Sequence, residues 1–203
     1  KPNSIFSRSV MTASILGFSL PTFWVGLLLI MVFAVYLGWL PSTGRGETVV
    51  LLGMRWSFLT RDGLGHLLLP AINLSLFQLS MIIRLIRAGV GEVIRADYVR
   101  FARAKGLTER RIIFVHVFKN ILIPVITVVG LNFGTVIAFS VVTETIFSWP
   151  GMGKLIIDSI NILDRPVIVS YLMLMVLMFV VINLVVDIAY SWLDPRAGIG
   201  AAR

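Results

Sequence analysis

Long apolar runs and short charged ones alternate along this chain. Ser9–Gly44, Gly63–Ile83, Asn120–Thr143 and Pro166–Val186 contain no Asp, Glu, Lys or Arg. A helix of about 20 apolar residues reaches across the hydrocarbon core of a bilayer. The runs therefore predict four spanning helices, over roughly 10–40, 64–88, 120–143 and 167–190. Pro21, within SLPTFW, removes a backbone hydrogen bond and predicts a kink or break in the first of them. Neighbouring helices or water can repair such an interruption. Tyr36 and Trp39 fit an aromatic belt at the outer interface.

Polar positions inside the runs carry their own spacing. Asn73, Phe77, Ser80, Arg84 and Arg87 are separated by 4, 3, 4 and 3 residues, which places them on one helix face. A polar stripe on a spanning helix avoids lipid. It either lines a water-filled path, with Asn73, Phe77 and Ser80 as candidate lining, or hydrogen-bonds to a neighbouring helix. Gly130, Gly134 and Ala138 recur every four residues and form a seam of small residues for close helix approach. Packing is the favoured role there, and path lining the second. Asn183 and Asp187 are also four apart, with Asp187 near the inner end, where it can snorkel to the interface.

The segments between the runs are more distinctive. Residues 41–62 are polar and glycine-containing (PSTGRGE), and residues 144–166 include TETIFSWPGMGKLIIDSI. A WPG turn followed by Leu155, Ile156, Ile160 and Leu163 predicts a short re-entrant or interface-lying helix. In the basic segment 89–119, Ile94, Tyr98, Phe101 and Ala102 recur at helical spacing, with Arg95, Arg100 and Arg103 between them. Gly106 is placed to end that helix in a left-handed turn. Thr108 is placed to cap the next, with Glu109 in its first turn. Pro124 frees the Asn120 carbonyl where this second helix becomes a span. The result is helix, sharp turn, helix: a protruding elbow. Attraction to lipid headgroups accounts for its charge alone. Docking into a partner's groove accounts for charge, apolar stripe and glycine turn together, and is favoured.

Composition fixes the class. Of 203 residues, 58% are hydrophobic and 14% charged, with a mean hydropathy of +0.95; soluble domains carry roughly 25% charged residues. The fold expected is an all-α integral membrane protein, read as a single domain over 1–203. The net charge of +8 does not point to nucleic acid, because nine of the 18 Lys and Arg lie between Arg84 and Lys119. An excess of that kind marks a cytoplasmic loop. It places 89–119 inside with both ends (Lys1, Arg8, Arg196, Arg203), and 144–166 outside. Without cysteine there is no disulfide framework or thiolate site. No metal cluster and no catalytic constellation is expected: His66 and His116 fall on opposite sides, and Glu144 and Asp187 are isolated acids at opposite faces. Lys1–Arg8 reads as an internal loop, so the expected context is the C-terminal part of a longer protein.

ARAKGL followed by H-x-x-x-N-x-x-x-P resembles the cytoplasmic loop of ABC-importer permeases. TETIFSWPGMGKLIIDSI and NLVVDIAYSWLDPR resemble later segments of the dipeptide/oligopeptide/nickel subfamily, and the likeness runs from IFSRS through LPTFW to LDPR. In the broader superfamily the loop reads Glu-Ala-Ala, Gly, Leu-Pro. Here Arg100 and Phe101 stand where Glu and Ala are usual, Ala102 and Gly106 match, and Ile123-Pro124 replaces Leu-Pro. The resemblance implies a type I ABC-importer permease fold in the bacterial inner membrane, lacking here the first two helices of a six-span permease. It implies a cytoplasmic coupling helix and a short outside interfacial helix. It implies a second permease, two ATPase subunits that hold ATP and Mg, and an extracytoplasmic binding protein. The ATPase-docking residues would be Tyr98, Arg100, Phe101, Ala102, Lys105, Gly106, Leu107 and Thr108, with ATPase motion coupled to alternating access through 92–124. A di- or oligopeptide is the first solute expected, with nickel complexes and glutathione as alternatives. The chief rival from another class, a secondary transporter working without ATPases, would show charged residues at mid-membrane.

Overall fold

The computed structural model describes residues 4–193. The basic ends Lys1, Arg196 and Arg203, and the tail after Leu193, lie outside the described residues. The elements in order are α1 (Ile5–Ser19), α2 (Thr22–Leu29) continued by a π-helical segment Ile30–Tyr36, β1 (Val49–Leu51), β2 (Met54–Trp56), α3 (Arg61–Val93) and α4 (Asp97–Ala104). There follow α5 (Glu109–Arg111), a second π-helical segment (Ile112–Val117), α6 (Phe118–Leu131), α7 (Phe133–Ile146), α8 (Met152–Asn161) and α9 (Arg165–Leu193).

Three helices among the described residues are long and apolar enough to cross a membrane: Arg61–Val93, Glu109–Leu131 and Arg165–Ala189. Thr22–Tyr36 and Phe133–Ile146 are apolar but shorter. The run expected as one span over 10–40 is thus broken, at the residue preceding Pro21, as the ring requires. The run expected over 120–143 begins earlier, at Glu109, and is interrupted at Asn132. Hydropathy registers side chains, and neither feature changes it. At the second break the Val128 carbonyl accepts both the Asn132 backbone N–H at 3.0 Å and its side-chain amide at 2.8 Å.

The chain forms two compact units. One comprises the described residues up to Ser80 together with Gly134–Met175. In it α2, α3 and α7 meet at buried Asn73, whose Nδ2 donates to Thr143 Oγ1 at 3.0 Å. The rings of Phe77 and Phe139 pack at a tilt of 48° with centroids 5.5 Å apart, and Leu69 and Phe147 are fully buried. A Cβ on Gly26 would lie 3.4 Å from both Asn73 Nδ2 and a ring carbon of Phe147, so α2 approaches at backbone distance.

Segment 41–62, expected only as a polar connection, carries the one sheet among the described residues. β1 pairs antiparallel with β2, Val49 opposite Trp56 and Leu51 opposite Met54. This two-stranded hairpin is the exception to the all-α expectation. Its turn holds Leu52 (φ 54°) and Gly53 (φ 77°), a primed geometry that suits strand twist. Arg45 Nε donates to Ser57 Oγ at 2.7 Å, and Thr60 Oγ1 caps α3 by accepting from Gly63 N at 2.9 Å.

The helix expected after WPG is α8. Its cap comes from α7: Glu144 Oε2 accepts the Lys154 amide at 2.9 Å. The carboxylate fits because residues 151 and 153 are glycine; a Cβ at Gly151 would overlap it. Glu144 is therefore structural, the role an isolated acid most often has.

The second unit comprises Met81–Phe133 and the described residues from Val176. Its core is Val99, Ala102, Ile112, Val117 and Ile121, with Ile86, Val90, Val93, Leu107 and Val125 packed around them. The π-helical segment explains the spacing, since i→i+5 bonding brings Ile112 and Val117 to one side. Gly130 supplies the close approach expected of the small-residue seam: a Cβ there would sit 2.5 Å from Val186 Cγ2 and 3.2 Å from its Cβ. We expect Gly130→Ala to destabilise by about 1–3 kcal/mol through overpacking, and Val186→Ala to recover most of it. A double-mutant cycle of unfolding in mixed micelles measures this; simple additivity of the two losses would refute the contact.

Candidate functional site

The elbow is built by α4, the turn 105–108 and the helix that starts at Glu109. α4 ends as its sequence predicts. Gly106 lies at φ 77°, its N–H bonds to Arg103 O at 2.9 Å, and Leu107 N–H bonds to Ala102 O at 3.2 Å. That pair of bonds is a Schellman closure, and Leu107 completes it by packing on the core. A Cβ at Gly106 would meet nothing within 4 Å, so glycine is needed for its backbone conformation and not for space.

The predicted apolar stripe does not hold as one face. Val99 and Ala102 are the buried pair, anchoring α4 on Ile112 and Val117, whereas Tyr98 and Phe101 point outward at 44% and 61% exposure. Val99 was the missed anchor; its spacing of three from Ala102 carried the signal. The burial splits α4 into an anchored side and a presented ridge. Lys105 Nζ lies 4.5 Å from the centre of the Phe101 ring, a cation–π contact that holds the ridge's tip. At its base Tyr98 Oη accepts from Asn120 Nδ2 at 3.0 Å, and the same amide reaches His116 O. This joins the His and Asn of the H-x-x-x-N-x-x-x-P pattern to the ridge.

Charges close the turn. Arg103 donates to both oxygens of Glu109, at 2.6 and 3.2 Å, a fork across Gly106. The hydrogen bond to Glu109 raises the Arg103 pKa above an ordinary value that already keeps it charged. Arg100 pairs loosely with Asp97 at 3.7 Å on the outside of α4. Thr108 occupies the cap position, at φ −64° and ψ 143°, but its hydroxyl makes no capping bond. The side chain that ties this helix start to the turn is Glu109.

The other candidate residues lie in the first unit. Asn73 and Ser80 are buried at 1% and 3% exposure, and Phe77 is half-buried. Ser80 Oγ bonds back to Leu76 O at 2.6 Å, and Gly17 lies against it. Asn73 Oδ1 is buried without a partner among the described residues. No group of three or more His, Cys, Asp and Glu is placed to hold a metal among the described residues.

Residues 1–199 match the family described as binding-protein-dependent transport system inner membrane component. The chain belongs to this family. Among curated relatives, it is 46% identical to the di/tripeptide transport system permease protein DppB of Pseudomonas aeruginosa, over 97% of this chain and 62% of that protein. It is 42% identical to the oligopeptide transport system permease protein AppB of Bacillus subtilis, over 97% and 60%. It is 39% identical to a glutathione transport system permease protein, GsiC, of Escherichia coli, over 93% and 56%. The chain thus spans about three-fifths of the length of these relatives. In three dimensions it is similar to a chain of the MetNI methionine ABC transporter in an inward-facing conformation. The TM-score is 0.69 at 16% identity, covering 96% of this chain and 81% of that one. The expected inner-membrane family and importer fold are borne out.

For the elbow of this inner-membrane component, Gly106→Ala is expected to cost about 1–2 kcal/mol of left-handed strain, and Gly106→Val more because of its β-branch. Amide exchange should speed up at residues 106 and 107 and stay unchanged in α9. Unchanged exchange at 106 and 107 would show that the turn does not depend on glycine.

Proposed function

We propose that this chain forms the membrane-embedded part of a permease subunit in an ATP-driven importer of di- or oligopeptides. It hydrolyses nothing itself. Two cytoplasmic ATPase subunits carry ATP and Mg, a second homologous permease completes the path, and an extracytoplasmic binding protein delivers the solute. The observation that carries the reading is the presented ridge of Tyr98 and Phe101 on a helix anchored by buried Val99 and Ala102, in a chain of this family. The relatives named for di/tripeptide and oligopeptide transport support the solute class. A glutathione permease among them keeps that tripeptide as the second reading.

In this reading four crossings, over about 10–40, 64–88, 120–143 and 167–190, leave both ends inside. The elbow in 89–119 then faces the cytoplasm, and α8 lies outside in 144–166. Tyr98, Arg100, Phe101, Ala102, Lys105, Gly106, Leu107 and Thr108 form the coupling site: the ridge enters an ATPase groove, and the buried residues carry the motion to the helix Glu109–Leu131. ATP-driven approach of the two ATPases swings the elbows, and a rigid turn passes this on as a change between inward and outward openings. Asn73, Phe77 and Ser80 border the path. The unpartnered Asn73 Oδ1 is left to accept from water or solute when the helices around it part.

Coupling is tested in the full assembly reconstituted with its binding protein. Phe101→Ala and Gly106→Val should each leave membrane insertion intact and lower solute-stimulated ATP hydrolysis, by roughly tenfold for the loss of one central aromatic contact of about 1.4 kcal/mol or more. Full stimulation in both variants would remove the elbow from the mechanism.

A further inference from the structure

The apolar core fixes where α4 lies and leaves open how far it is rolled. Val99 and Ala102, three residues apart, are its buried residues. Apolar burial is non-directional, so contact along that single line permits rotation about it. A roll would change the angle at which the exposed Tyr98 and Phe101 are presented. The Arg103–Glu109 fork closes only the turn between its partners. Their side chains are 40% and 60% exposed, where an ion pair contributes little.

One directed bond reaches further. Asn120 Nδ2 donates to Tyr98 Oη at 3.0 Å, tying the first turn of α6 to the first turn of α4, 22 residues apart in sequence. The Gly106 turn and the π-helical segment Ile112–Val117 both lie inside the loop that this bond closes. A side-chain NH2 offers two donors, and this one also bonds to His116 O at 2.6 Å, one turn back on its own helix. That second bond holds the amide in place for the tyrosine. Asn132 and Asn183 make the same backward bond, whereas Asn120 makes it and reaches another helix as well. Asn120 also stands where the basic segment gives way to the uncharged run Asn120–Thr143.

We propose that Asn120 is a positioning residue for coupling. By holding the Tyr98 hydroxyl it sets the roll of α4, so that force on the ridge moves the helix Glu109–Leu131 instead of rolling α4 in its seat. The apolar anchors hold α4 down, and the bond sets its angle. The role rests on the elbow being the ATPase-coupling site, and Asn120 acts there through Tyr98.

The test compares Asn120→Ala, Tyr98→Phe and the double variant in the full assembly reconstituted with its binding protein. Tyr98→Phe keeps the ring that a groove would grip and removes only the oxygen. Each single variant should lower the ratio of solute-stimulated to basal ATP hydrolysis by roughly fivefold, the size expected for one hydrogen bond. The double variant should be no worse than either. Amide exchange should speed up by a similar factor within α4 and stay unchanged at residues 106 and 107. A wild-type ratio in Asn120→Ala, or losses that add in the double variant, would overturn the proposal. So would loss of the ATPase subunits from Asn120→Ala with α4 exchange unchanged, which would make Asn120 a docking contact. Absence of stimulation in the wild-type assembly would overturn the coupling reading and this role with it; stimulation that Asn120→Ala leaves intact would overturn this role alone. If Asn120→Ala fails to assemble, Tyr98→Phe still decides, since a wild-type ratio there leaves the bond without a part in coupling.

Discussion

A backbone crossing hydrocarbon has no water to bond to, so each polar atom closes on the chain itself. This constraint shapes the side chains as well as the helices. Ser14 bonds back to Val10, Ser80 to Leu76, Thr127 to Ile123, Thr145 to Val141, Ser170 to Pro166 and Asn183 to Phe179, each to a carbonyl one turn earlier at 2.6–3.0 Å. A hydroxyl or amide in these helices is therefore first a self-satisfied group. Asn73 differs because its NH2 donates across to Thr143 and its carbonyl oxygen, the side chain's acceptor, is left unspent. The stripe read from spacing alone thus contains two kinds of residue. Ser80 closes on its own helix, while Asn73 ties α3 to α7.

The elbow is held in another way. Its rigidity comes from apolar burial. Fully burying a Val or Ile contributes about 1.5–3 kcal/mol, and Val99, Ile112, Val117 and Ile121 are all nearly inaccessible. That is ample to hold an eight-residue helix that would not persist alone. The left-handed Gly106 supplies direction: it folds α4 back so that Val99 and Ala102 meet the next helix. Lever and hinge are thus separate. One depends on packing, the other on a single backbone conformation.

The features legible in the sequence were those governed by local rules. The apolar runs, the Pro21 break, the glycine turn and the helix after WPG each follow from a few adjacent residues. Features governed by contact were not legible. Helical spacing grouped Tyr98 and Phe101 with Ala102, because periodicity shows that residues share a side but not where the neighbouring helix lies. Hydropathy ran through Asn132 unbroken. The Leu52-Gly53 hairpin turn lacks the Asn-Gly or Asp-Gly pair that would announce it. Glu144 looked idle because the amide it caps is ten residues on, at the start of another helix. The family resemblance was read from several ordered segments, and so did not depend on any of these contacts.

The split of α4 bears on how so basic a segment can present a face suited to a protein groove. On the ridge, cations are balanced or covered: Arg100 by Asp97, Arg103 by Glu109, Lys105 by the Phe101 face. A surface whose charges are already answered can enter a protein groove without carrying unpaired charge into it, which would otherwise cost several kcal/mol per ion.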